Sequence, residues 1–113
     1  NLHYMKGSLF ENLILNEFIK RSFNRGENRQ PYYWQDNHGK EIDCLLVNGE
    51  KVTAVEIKSG KTMSTSYFEN LKYWRSLAAL PESQEYVVFG GDQSMQTSAG
   101  TLISWKNLDR IPD

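Results

Sequence analysis

An Asn-Gly pair at positions 48 and 49, set between two runs of alternating residues, constrains this chain more than any other feature. Before it, Ile42, Cys44 and Leu46 alternate with Asp43, Leu45 and Val47; after it, Val52, Ala54, Glu56 and Lys58 alternate with Thr53, Val55 and Ile57. Period-two alternation on both sides of Asn-Gly predicts a β-hairpin, because a type I′ turn needs positive φ at both central residues. With Asn48 and Gly49 as the whole loop, Val47 faces Glu50, Asp43 faces Ala54, and Glu56 lies diagonal to Asp43 on one face. Alternation puts Lys58 on that face too. In this register Glu41 faces Glu56, which destabilises the pair unless a cation or a splayed strand relieves it, and makes Glu41 a rival ligand. The placement assumes no bulge, since a slip of one residue would carry Asp43 to the opposite face.

At 113 residues, 39% hydrophobic and 24% charged, the chain suits one domain with one core, spanning residues 1–113. A formal net charge of -1 argues against gripping nucleic acid by bulk electrostatics, although Lys20, Arg21, Arg25 and Arg29 form a local basic cluster. Such a cluster also suits a solvated helix end, where cations complement the macrodipole. The single cysteine, Cys44, excludes an intrachain disulfide framework; it reads as a small buried hydrophobe and fits a reducing cytoplasm. No apolar run approaches the roughly 20 residues that cross a bilayer, so no membrane association is expected. The chain begins with Asn1, which suggests a domain excised from a longer protein.

Residues Leu9 to Phe23 carry Leu9, Phe10, Leu13, Ile14, Leu15, Phe18 and Ile19 at helical spacing, which predicts a well-buried first helix. Glu11 falls among Ile14, Leu15, Phe18 and Ser22 on the wheel, where a carboxylate calls for a partner, an ion or a raised pKa. Glu17 also lies near apolar positions, so periodicity does not choose between the two. Ser8-Leu9-Phe10-Glu11 matches the capping box, and the pattern by itself favours that structural role for Glu11. A polar loop from Asn24 to Pro31 precedes a strand Tyr32–Gln35, giving a three-stranded meander from Gln30 to Lys58; Tyr32 and Trp34 share a face and are expected in the core. Ser66-Tyr67-Phe68-Glu69 is a second capping-box match, opening a helix that stops at Leu80-Pro81; Lys72 and Arg75 project from it, able to contact phosphate although a solvated face is the default. A strand Glu85–Phe89 follows; Asp92 to Gly100 reads as a flexible loop, and Thr101–Trp105 as an edge strand. The order is mixed α/β.

Asp43, Glu56 and Lys58 are what metal-assisted phosphodiester hydrolysis requires. Two hard carboxylates suit Mg²⁺ or Mn²⁺, the Ile57 carbonyl is a further oxygen donor, and Lys58 is placed to handle a water or stabilise phosphate charge. Zinc lacks support, because His3, His38 and Cys44 show no ligand spacing. The bland alternative is a solvated Glu56–Lys58 ion pair on a strand face.

The order Glu11, Asp43, then Glu56-Ile57-Lys58 resembles the PD-(D/E)XK nuclease superfamily, whose restriction-endonuclease-like core runs helix, three-stranded meander, helix, strand, with a mixed central sheet flanked by helices. More narrowly, Gly7-Ser8-Leu9-Phe10-Glu11-Asn12, Tyr33-Trp34, Glu41-Ile42-Asp43 and Val55-Glu56-Ile57-Lys58-Ser59-Gly60 look like the uncharacterised domain that follows the ATPase module in many prokaryotic AAA-type ATPases. The resemblance implies that Glu11, Asp43, Glu56 and Lys58 are signature positions and moves Glu11 from cap to site. One departure is Ile42 in place of the superfamily's nominal proline. The expected function is a metal-dependent nuclease domain, acting on DNA rather than RNA and attached to its own upstream ATPase, where any ATP would bind. The alternative is a catalytically inactive nuclease-fold domain serving as a nucleic-acid- or protein-binding module of that ATPase.

Overall fold

The computed structural model describes residues 8–26, 31–79 and 84–112, and it is a mixed α/β structure. Helix α1 (Leu9–Asn24) is followed by strands β1 (Tyr32–Gln35), β2 (Glu41–Asn48) and β3 (Lys51–Lys58). A 3-10 turn (Thr65–Phe68) leads into helix α2 (Glu69–Ala78), and then come β4 (Gln84–Phe89), β5 (Met95–Gln96), β6 (Thr101–Ser104) and a closing 3-10 segment (Trp105–Arg110). The six strands form one sheet in the order β1-β2-β3-β4-β6-β5. The first three form the expected antiparallel meander, whereas β3, β4 and β6 run parallel. Arg29, Gln30, His3, Leu80 and Pro81 lie outside the described residues.

The sheet separates two apolar clusters. Ile14, Leu15 and Phe18 of α1 pack with Cys44, Val55, Ile57, Val88, Ile103 and Ile111 on one face. Phe68, Leu71 and Trp74 pack with Ile42, Ala54, Val87, Phe89 and Leu102 on the other. Full burial of each such side chain is worth about 1.5 to 3 kcal/mol, so both helices are held chiefly by these stripes. The Arg21 guanidinium adds two bonds from α1 to the chain end, donating to the carbonyls of Leu108 (2.9 Å) and Ile111 (2.6 Å). That places one member of the basic cluster in a structural role.

Several expectations need correction. The hairpin loop is Gly49-Glu50, not Asn48-Gly49, because Asn48 pairs with Lys51 and Val47 with Val52. Gly49 has φ 65° and Glu50 is not among the positive-φ residues, which is the pattern of a type II′ turn with glycine first. Helix α1 is less buried than its wide apolar arc implied: Leu9 is 87% exposed and Phe23 78%. Tyr32 is 58% exposed instead of in the core, since the β1–β2 register shifts between it and Trp34, which does pack inward. The cap before α2 is Ser64, whose Oγ accepts from the Ser66 amide, and α2 itself starts only after a 3-10 turn. The helix ends at Ala79 in a left-handed conformation (φ 48°). Within Asp92–Gly100 the chain forms β5, so β5 rather than β6 is the edge.

Candidate metal centre

The register correction moves the site carboxylates closer together. Counting on from Cys44↔Val55 puts Asp43 opposite Glu56, a shift of two residues that preserves the face. That shift takes Glu41 out of the register that set it against Glu56; it pairs with Gln35 of β1 and accepts a hydrogen bond from the Tyr33 hydroxyl.

The ladder between β2 and β3 stops at Cys44↔Val55, and the two carboxylates take over from there. The Asp43 amide donates to Glu56 Oε1 (3.0 Å), and the Ile57 amide donates to Asp43 Oδ2 (2.8 Å). Each side chain therefore caps a backbone group of the other strand, which answers the need of buried amides for partners. On its other edge, against β1, strand β2 holds an extra residue. Tyr32 pairs with Leu45 and Trp34 with Ile42, so two steps of β1 match three of β2. Ile42 and Cys44, two apart in sequence, accordingly join clusters on opposite faces of the sheet. This is a β-bulge at Asp43–Cys44, of the kind that re-aims a side chain and ends pairing. The bulge lies against β1, while the β2–β3 hairpin keeps one register from Cys44↔Val55 to Asn48↔Lys51.

Glu56 is 1% exposed and Asp43 8%. Burial, and then the Asp43 charge, push the Glu56 carboxyl up to about 8, against the opposing influence of Lys58. Lys58 Nζ lies 3.6 Å from Glu56 Oε2, and Asn70 Nδ2 of α2 approaches the same oxygen at 3.4 Å. Burial and the bond to Glu41 raise the Tyr33 phenol to about 12, so it stays a hydrogen-bond donor. An open cavity of about 360 Å³ is lined by Glu11, Glu41, Asp43, Glu56, Ile57 and Lys58, with Ser59, Gly60, Tyr67 and Asn70 completing it. The candidate site residues Glu11, Glu41, Asp43, Glu56, Ile57 and Lys58 are thus brought to one cavity. Glu11 serves both readings: its amide donates to Ser8 Oγ (3.1 Å) as in the first half of a capping box, and the residue lines the cavity.

Tyr67 and Asn70 were missed. They are three residues apart and share one face of the segment running into α2; nothing in their local pattern shows that this face crosses the mouth of the hairpin. Gly60 permits the approach, since a Cβ there would stand 2.2 Å from the Tyr67 hydroxyl oxygen. His38 is exposed and Cys44 is buried with its thiol pKa raised by burial, and neither lines the cavity. Among the described residues, no three His, Cys, Asp or Glu side chains stand together as a ready ligand set. The donors present are two carboxylates and the Ile57 carbonyl, which shares the strand edge of the Ile57 amide and so points toward β2. Hard oxygens in that number fit Mg²⁺ or Mn²⁺, which bind through one or two carboxylates and retain waters.

Residues 6–108 match the model of a family described as a domain of unknown function (DUF4143). No curated protein and no solved structure matches the chain.

Proposed function

The chain belongs to the DUF4143 family, and from that premise and the geometry of its cavity we propose that it is a divalent-metal-dependent phosphodiester hydrolase of the PD-(D/E)XK type. The observation that carries the proposal is the reciprocal Asp43–Glu56 arrangement, two buried carboxylates in a parted hairpin with the Lys58 ammonium beside them. Burial and the Asp43 charge hold Glu56 toward its protonated form in the metal-free chain, and a bound cation would take the place of that proton between the two carboxylates. Asp43, Glu56 and the Ile57 carbonyl would hold the ion, with Glu11 as a further carboxylate in the cavity. A bound Mg²⁺ or Mn²⁺ would supply Lewis acidity toward a phosphate oxygen. Lys58 offers a positive charge to a phosphate in the cavity and a donor to an attacking water. Asn70 steadies Glu56, and Tyr33 holds Glu41 to one side.

The proposal extends to DNA as substrate, to a restriction-endonuclease-like relationship for the fold, and to an ATPase module upstream in a cytoplasmic protein. Incubation with single- and double-stranded DNA and RNA plus Mg²⁺ or Mn²⁺, beside Asp43→Ala and Lys58→Ala, tests the chemistry. Cleavage lost in both variants supports it; equal activity in all forms, or none in any, overturns it. Nucleic-acid binding without cleavage would favour the non-catalytic module instead. A G-x-x-x-x-G-K-[ST] loop in the upstream reading frame is the corresponding check on the ATPase.

A further inference from the structure

The parallel strands β3, β4 and β6 end in line, with Lys58 level with Phe89 and Phe89 level with Ser104. In sheets of this kind the loops beyond the carboxyl ends of parallel strands form the usual ligand crevice. Here those loops are joined by hydrogen bonds that the metal centre does not use. The Gly90 amide donates to the Gly60 carbonyl (2.8 Å), the Ser104 hydroxyl to the Gly91 carbonyl (2.6 Å), and the Ser104 amide to Ser94 Oγ (2.8 Å). Ser94 in turn donates to Asn107 Oδ1 (2.9 Å). Gly60 and Ser59 also line the carboxylate cavity, so the platform is continuous with it.

Two exposed lysines stand on this platform, Lys61 after β3 and Lys106 after β6, about two strand spacings apart. Trp105 is 37% exposed, with the Lys106 ammonium 5.6 Å from its ring centre. Between the lysines, Asp92 is bonded to Lys106 Nζ at 2.9 Å, and Lys106, then Lys61, hold its carboxyl below the usual range. The pattern is two cations, an aromatic face and one carboxylate that partly masks them, on a chain of net charge -1.

We propose that the carboxyl ends of β3, β4 and β6 form a track for single-stranded nucleic acid leading from the metal centre, with Lys61 and Lys106 contacting phosphates and Trp105 stacking on an unpaired base. The inference rests on the phosphodiesterase reading of the adjoining cavity. Stacking on Trp105 requires a base free of its partner, which selects a single strand over a duplex. Asp92 acts as a screen: its carboxylate competes with phosphate for the Lys106 ammonium, so affinity is held below what the lysines alone would give.

Fluorescence anisotropy of the full chain with a labelled oligothymidine of about 12 nucleotides, in EDTA at several salt concentrations, tests the track. Lys61→Gln and Lys106→Gln should each weaken binding about three- to tenfold and lower the salt slope by about 0.7. Trp105→Ala should weaken it about tenfold and abolish the quench of tryptophan emission on binding. Asp92→Asn should tighten binding severalfold, a gain that damage to the fold would not produce. Wild-type affinity and salt slope in the lysine and Asp92 variants, tighter binding of a duplex of the same length, or no binding by the wild type would overturn the proposal. Cleavage in Mg²⁺ is scored separately: a chain that cuts DNA with these variants unaffected loses the track and keeps the hydrolase. One that binds as described without cutting keeps the track and loses the hydrolase.

Discussion

Glu56 carries a conflict that a bound cation would resolve. Its carboxyl rises from an ordinary 4.5 to about 8, through burial and the nearby Asp43 charge. Because the folded value lies above the unfolded one, the group's stabilising contribution is complete below about 4.5 and is lost as pH climbs through about 8. The metal-free chain should therefore melt at progressively lower temperature between those values. Glu56→Gln, which keeps an oxygen for the Asp43 amide, should flatten that slope and raise stability at alkaline pH by on the order of a few kcal/mol. Thermal scans in EDTA decide this, and equal slopes in both proteins would refute it. Millimolar Mg²⁺ should raise the melting temperature of the wild type and leave Glu56→Gln and Asp43→Asn unmoved, since stabilisation follows occupancy of the native site. The faces of Glu56 and Lys58 were legible because alternation fixes parity on β3, and a turn displaced by one residue shifts the pairing by two, which preserves the face; Asp43 sits at a bulge against β1 that alternation does not show. Asn70 was not legible: its role comes from where α2 crosses β3, which no local pattern encodes.

Among the elements, the loops at the strand ends are the least forgiving. A Cβ at Gly90 would meet the Ser59 carbonyl oxygen at 2.4 Å, a backbone atom with little room to yield. Gly90→Ala should cost about 1 to 3 kcal/mol in urea denaturation and shift Ser59 and Gly60. Gly60→Ala meets a side chain, the Tyr67 phenol, rather than backbone, so it should cost less while disturbing the cavity wall. The reverse ranking would show that the two strand-end loops are not packed as described. The elements α1, β1 to β4 and α2 were readable from periodicity and punctuation. The edge strand β5 has two residues, too few for any period, and exists because β6 offers it a partner. Similarly, the two serines Ser64 and Ser66 are equally good caps by type; the 3-10 turn at Thr65–Phe68 selects the earlier one.

For the whole molecule, the sheet is shared property of two cores. Leu102 and Ile103 are neighbours on β6 yet feed opposite clusters. Leu102→Ala and Ile103→Ala should each cost about 2 to 5 kcal/mol and still give one transition, with tryptophan emission and far-UV dichroism coinciding. Transitions that separate by probe would mean that the faces unfold independently. Among the described residues no helix is long and apolar enough to cross a membrane. The bulge at Asp43–Cys44 sets what kind of genetic change this architecture tolerates. Removing one residue between Ile42 and Leu45 would restore a continuous register with β1, and because Ile42 and Leu45 face the same cluster, the one residue left between them would turn to the opposite face, away from Glu56. A one-codon deletion should dismantle the carboxylate pair while sparing the fold, with stronger hydrogen-exchange protection at β1 and β2 as its signature. The site is thus open to loss by a change in chain length as well as by a change in chemistry.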